Sequence, residues 1–222
     1  MRAITFSIVG ILLVACLNAP AAHASVQDDV NQAVTIIQRF QEIPDRAIPD
    51  SVLRNAKGLA ILTVTKAGFI GSARGGSGIV IARTAKGWSG PSAIGTGGLG
   101  VGFQAGVEVT EFVIVLNTQE AVNAFSQGGN VTLGADLSAA VGPVGRTAEG
   151  SVALQAAMYT YSISQGLFAG ISLEGTVIGT RDEANAEYYG KPVAAQDILA
   201  GKVKPPASAQ KLPQVLAKYS AQ

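Results

Sequence analysis

Histidine and cysteine are almost missing from this chain. Its 222 residues include one of each, His23 and Cys16, and both fall in a first stretch that reads as a targeting signal. Met1-Arg2 forms a short positive start, Ala3–Leu17 an apolar run, and Ala22-His23-Ala24 a small-x-small cleavage site. The apolar run is short for a membrane span, which takes about 20 residues. Leu13-Val14-Ala15-Cys16 offers a second reading, a bacterial lipobox in which Cys16 is lipidated and Leu17–Ala24 becomes a tether. The first reading makes residues 1–24 a signal and the second ends the signal before Cys16; both predict an exported, bacterial chain, periplasmic or extracellular, and lipid-anchored in the second case. The remaining 25–222 then hold neither imidazole nor thiol. That excludes Ser-His-Asp and Cys-His nucleophiles, thiolate or imidazole zinc sites and a disulfide framework. Stability must come from a hydrophobic core, and the chain is long enough to bury one.

Charge is scarce as well. Charged residues make up 14% of the chain, and setting Arg2 aside leaves 15 basic against 15 acidic residues. No dense basic block exists to neutralise phosphates, so nucleic acid is not an expected partner. No Asp-rich loop with ligand spacing suggests a metal, and no cofactor is expected.

Glycine, by contrast, is abundant, with 27 residues, and it is patterned. In Gly95–Asn117 the odd positions Leu99, Val101, Phe103, Ala105, Val107 and Val109 are apolar, whereas the even positions from Gly98 are mostly glycine. A period of two predicts a strand. A face made of glycine predicts that a backbone or ligand approaches closely. Glu111–Asn117 reads as a second strand buried on both faces, joined to the first near Thr110. Gly95, Gly97 and Gly100 also spell a dinucleotide-binding fingerprint. That motif requires a helix starting on the glycines, and strand residues follow instead.

Ser25 caps a helix over Val26–Gln41, with Asp28 placed to reach back. Val26, Val30, Val34 and Ile37 form its apolar stripe, and Pro44 stops it. A short helix follows Pro49 and ends at Gly58. Strands are predicted at Leu59–Thr65, Gly68–Arg74 and Gly78–Thr84, with Arg74-Gly75-Gly76-Ser77-Gly78 as a tight turn and Lys86-Gly87 as a hairpin into Trp88. Thr118 caps a helix over Gln119–Ser126. Further strands are predicted at Asn130–Val141, Ser151–Ser164 and Gly166–Arg181, then short helices at Glu183–Tyr189, Ala194–Ala200 and Ala209–Tyr219. The sum is a single α+β domain over 25–222, an antiparallel, glycine-rich β sandwich or barrel flanked by N- and C-terminal helices.

Several long blocks resemble one family. They are AKGLAILTVTKAGF at 56–69, ARGGSGIVIAR at 73–83, WSGPSAIGTGGLGVGFQAGVEVTEFVIVLN at 88–117, GNVTLGADLSAAVGPVGR at 129–146 and GLFAGISLEG at 166–175. With Asn185–Gly190 and Asp197–Gly201 they are similar to the SYLF lipid-binding domain, also described as an actin-binding domain in yeast proteins. The resemblance implies a non-enzymatic module for membrane lipid, phosphoinositide in eukaryotic members. It also implies an amphipathic helix ahead of the first strand that enters the bilayer, and here the corresponding residues are Val26, Val30, Val34, Ile37 and Arg39. The family's helix lysines are missing, and Asp28, Asp29 and Glu42 stand in or beside that helix. Lys57, Lys66, Arg74 and Arg83 are the candidates to hold a phosphate headgroup; the alternative is pairing with carboxylates such as Glu108 or Glu111. An envelope protein partner on the same stripe is the second functional reading, and actin is not expected in an exported chain's own compartment. Glu108 and Glu111 are not predicted to share a face for acid–base work, and Tyr159, Tyr161, Tyr188 and Tyr189 are predicted to pack.

Overall fold

The computed structural model describes residues 24–68, 71–101, 106–128, 130–132, 139–143, 156–166 and 176–220. Its elements are α1 (Val26–Glu42), α2 (Asp50–Asn55), β1 (Gly58–Gly68), β2 (Gly71–Thr84), β3 (Gly87–Trp88), β4 (Ser92–Val101), β5 (Gly106–Leu116), α3 (Gln119–Ser126), β6 (Asn130–Thr132), β7 (Ala139–Val141), β8 (Met158–Gly166), β9 (Val177–Thr180), α4 (Asp182–Tyr189), α5 (Ala195–Leu199) and α6 (Lys211–Ser220). The class is mixed α+β, with helices at both ends of the described chain. The strands form one continuous sheet in the order β6-β9-β4-β2-β1-β5-β8-β7, with β3 on β2. All pairings are antiparallel except β7 with β8.

Strand alternation gives the sheet two cores. Leu59, Ile61, Ile79, Ile81, Val113 and Val115 point to one face and meet α1, α2 and α6. Ala60, Leu62, Val64, Val80, Phe112, Ile114 and Leu116 point to the other and meet α3 and α5. The first is called the α1 face below and the second the α3 face. Strand β1 is buried on both sides from Gly58 through Leu62, which explains why its sequence is continuously apolar there.

Two sequence expectations are corrected. Arg74-Gly75-Gly76-Ser77-Gly78 is no turn; it is the middle of β2, which runs alongside the whole of β1 from Gly58↔Ala82 to Gly68↔Ser72. Its glycines serve close approach. A Cβ on Gly78 would overlap the Ile61 carbonyl oxygen and lie 2.6 Å from Leu62 Cα, and one on Gly76 would lie 2.5 Å from the Thr63 carbonyl oxygen. The break expected at Thr110–Glu111 is absent too, because β5 runs through both residues in register with β1. Strand β4 is described to Val101 and β5 from Gly106, and 102–105 lie outside the described residues. The fingerprint glycines Gly95, Gly97 and Gly100 all sit within β4, paired with β2 and leading into no helix.

Helix α1 begins as expected, with the Ser25–Asp28 capping box formed. Its first turn is also tied down. Asp29 accepts from Ser77 Oγ at 2.7 Å and pairs with Arg181 at 2.9 Å, while Arg181 Nη2 donates to the Ala24 carbonyl at 2.9 Å. Asp29 is buried, and that burial raises its carboxyl above the ordinary range; the Ser77 hydrogen bond and the Arg181 charge pull down without cancelling it.

Gly78→Val is expected to destabilise by about 3 kcal/mol in urea unfolding, because the side chain meets fixed backbone. Gly75→Ala, with nothing within 4 Å of its Cβ, should shift stability by only about 0.5 kcal/mol. A raised carboxyl pKa means that the folded state holds the proton longer than the unfolded one. Its stabilising contribution is therefore full below pH 3.8, the ordinary value, and is lost as pH rises through the raised value. In urea melts across a pH series, the stability of the natural chain relative to Asp29→Asn should be greatest below pH 3.8, fall as pH rises through the raised value and stay constant above it.

Candidate functional site

Helix α1 uses its apolar stripe internally. Val26, Val30 and Ile37 are 3%, 0% and 0% exposed, joined by Ile36 and Phe40 at 1% each, and half-buried Val34 packs on the same cluster. At about 2 kcal/mol for each large side chain, this contact is worth on the order of 10 kcal/mol as an upper bound. That is comparable to the whole stability of a domain. Entry of this stripe into a bilayer therefore requires α1 to leave the sheet. Arg39 is engaged as well. Its Nη1 lies 2.6 Å from both carboxylate oxygens of Glu111, which also accepts from Gln32 at 3.1 Å.

The four basic candidates form two separate pairs. Lys57 and Arg83 share the α2 end of the β1–β2 ladder, where Arg83 N donates to the Lys57 carbonyl. Lys66 and Arg74 face each other across the same two strands nine residues further on, roughly 30 Å away at 3.3 Å per residue. Arg83 has a structural task. It donates to the Leu53 and Ala56 carbonyls at the end of α2 and lies 4.4 Å from the Trp88 ring centre. Burial lowers its pKa from the ordinary guanidinium value. Lys57 is exposed.

Lys66 and Arg74 point to the α3 face, away from α1. Across β1, β2, β4 and β5 the register places Glu108, Lys66, Arg74 and Gly98 in one row. Glu108 is buried and accepts from Thr110 Oγ1 at 3.4 Å. Arg74 lies flat along β4, where a Cβ on Gly98 would stand 3.0 Å from its Nε. Arg181 covers Gly95 on the opposite face of the same strand in the same way, 3.1 Å from that Cβ position. The glycine alternation of β4 thus makes room for an arginine on each side. Sequence reasoning found the bare face that includes Gly98 but not its occupant, since Arg74 reaches it from β2. Arg181 was missed altogether.

Glu108 and Glu111 lie on opposite faces of β5, so they do not form a carboxylate pair. Neither Lys66 nor Arg74 is the ion-pair partner of Glu111; that partner is Arg39. The tyrosines pack as expected. Tyr159 and Tyr161 are in the α1-face core, Tyr161 edge-on to Phe40, and Tyr189 donates to the Pro91 carbonyl. Burial raises the phenol pKa of Tyr161, Tyr188 and Tyr189. Among the described residues, no group of His, Cys, Asp and Glu could hold a metal, and no helix is long and apolar enough to cross a membrane. Cys16 and the first two residues of the cleavage site, Ala22 and His23, lie outside the described residues.

The sequence profile described as "Ysc84: Las17-binding protein actin regulator" matches residues 97–219. "SH3 domain-containing YSC84-like protein 1" of Bos taurus and of Homo sapiens are each 50% identical over 205 residues, covering 89% of this chain and 60% of theirs. "LAS seventeen-binding protein 3" of Saccharomyces cerevisiae is 45% identical over 202 residues, covering 86% of this chain and 44% of its own. The chain thus spans about 60% or less of the length of these relatives. With the profile matching more than half of the chain and relatives at 50% identity over 89% of it, this chain belongs to the Ysc84 (SYLF) family of non-enzymatic binding proteins.

Proposed function

We propose that this chain binds the anionic headgroups of membrane phospholipid, at the Lys66–Arg74 end of the sheet. The observation that carries the reading is the row Glu108, Lys66, Arg74, Gly98. The row holds one carboxylate and two cations, one of them the guanidinium of Arg74. That guanidinium makes no ion pair among the described residues and lies over a strand position without a side chain. A guanidinium held flat beside open backbone suits a phosphate, which it can meet with two parallel N–H donors. The resemblance to lipid-binding SYLF domains supports the same chemistry.

The reading also relocates the contact. The α1 stripe is committed to the core, so the headgroup site rests on the sheet and not on the helix. A phosphoinositide is the headgroup that the eukaryotic members suggest; any anionic phospholipid satisfies the geometry. The relatives' names point to protein partners as well, Las17 for the yeast protein, and an envelope protein is the corresponding partner for this chain. The same proposal places the chain in the bacterial envelope, exported by residues 1–24 and lipid-anchored if Cys16 is acylated. It rests on the residue pattern of that stretch.

Vesicles of phosphatidylcholine with phosphatidylglycerol should pellet the full chain, and vesicles without phosphatidylglycerol should not. Lys66→Ala with Arg74→Ala should weaken binding roughly thirtyfold, from ~1 kcal/mol per basic residue near an anionic surface, whereas Lys57→Ala leaves it unchanged. Undiminished pelleting of the double variant sinks the site. Val34→Asp with Ile37→Asp should lower the melting temperature alongside any loss of binding, since Ile37 is fully buried. For export, the intact mass of the protein recovered from its own envelope should match a chain starting at Ser25 or an acylated one starting at Cys16. An unprocessed mass rejects both.

A further inference from the structure

Beside α1 the sheet carries a strip that nothing in the described chain covers. On the α1 face, one cross-strand row reads Gln165, Val109, Thr65, Gly75, Gly97 from β8 to β4, and each of these residues is exposed. Val177 on β9 extends it, because its neighbour Ile178 pairs with Thr96 and points into the α3-face core. The next row includes Val107, Ala67 and Ala73, again exposed. All three large apolar side chains exposed among the described residues belong to this strip: Val107 at 56%, Val109 at 37% and Val177 at 40%. None of the residues named in either row is charged.

One wall of the strip is α1. Asp29 touches the preceding row at Ser77, and Gln32 and Arg39 touch it at Glu111, so the helix crosses the strands along that row. Between helix and floor lies a cleft of about 500 Å³, lined by Asp28, Asp29, Gln32, Thr63, Thr65 and Gly75 among others. It shares Gly76 and Thr96 with a second cleft of about 770 Å³, which runs to β9 and α4 and is bordered by Asp182, Glu183 and Glu187. Among the described residues the only cation on either lining is Arg181, and it is spent on Asp29. The result is an uncharged floor with an acidic border.

We propose that this groove docks a single amphipathic helix of a partner protein, apolar on the side that meets the floor and bearing Lys or Arg along the edge that meets Asp28 and the α4 carboxylates. Size selects a helix over a second copy of this chain. Six strands at about 4.8 Å spacing give a strip roughly 24 Å long, and two rows make it little more than one helix wide. A helix of about 16 residues has that length at 1.5 Å per residue, and its width with side chains is 10–12 Å. A stable dimer would bury about 800 Å² on each partner, more than the strip offers. Charge selects the helix's edge, since an acidic border repels an anionic bilayer and attracts a basic peptide.

The test uses the full chain and two labelled 16-residue helical peptides with the same Leu/Ala face, one flanked by Lys and one by Glu. Fluorescence anisotropy at physiological salt should show the Lys peptide binding at least tenfold tighter than the Glu peptide. Val109→Lys and Thr65→Lys, both at exposed positions, should each weaken it at least tenfold with unchanged melting temperature, and Arg74→Ala should leave it intact. Equal binding of the two peptides, or binding indifferent to both floor substitutions, overturns the proposal. So does a dimer in light scattering that Val109→Lys dissolves, which would give the strip to a second copy. Loss of vesicle pelleting on Val109→Lys, with peptide binding kept, would give it to the bilayer.

Discussion

The whole arrangement depends on how closely β1 and β2 lie together. Their backbones pair over eleven consecutive positions, and at Gly76 and Gly78 a side chain would run into the neighbouring main chain. That contact fixes the register of the central strands. Register then decides which side chains reach which face, because a slip of one residue would exchange the two cores. Everything described above follows from it: the apolar residues of β1 divided between two helical layers, the lysine opposite the arginine, and the carboxylates of β5 held apart.

The sheet is covered unevenly along its strands. At the Gly58 end, β1 is enclosed on both sides, by α1, α2 and α6 on one and by α3 and α5 on the other. Toward Gly68 the α1-face cover stops, and small or polar side chains take over from Leu and Ile. One end of the sheet thus supplies stability and the other supplies surface. The two proposed contacts both use the second end and lie on opposite faces, so lipid and protein need not compete for it.

Much of this was legible in the residues. Periodicity located α1, the Thr118 cap located α3, glycine and proline punctuation located the C-terminal helices, and the Ser25 cap formed as its spacing predicted. The paired apolar strands and the family blocks gave the fold class. Glycine misled in one place and informed in another. In Arg74–Gly78 a run of glycines looked like a turn, but a strand squeezed between neighbours needs the same residues, and local sequence does not separate the two. In β4 the glycines were read as a surface approached by a backbone or a ligand, and at Gly98 it is an arginine side chain that approaches. What filled them was hidden, because Arg74 belongs to β2 and Arg181 to the junction between β9 and α4, and only the sheet register brings them over. The basic candidates suffered likewise. Four cations near turns look like one cluster in sequence, whereas nine residues of extended chain put two of them at the far end of the sheet. The α1 stripe shows a further limit, since an amphipathic pattern reports that a face is covered and not what covers it.

Arg83 ties three things to one spot: the last carbonyls of α2, the backbone of β2 and the ring of Trp88. Trp88 is the chain's only indole, so the emission of the whole protein originates beneath that guanidinium. Its intensity and colour follow the seating of α2 on the sheet. They stay blind to events at the Lys66 end, roughly 30 Å off along the strands. The molecule therefore carries a built-in optical gauge of its stable half, against which ligand-induced changes in the other half can be told from unfolding.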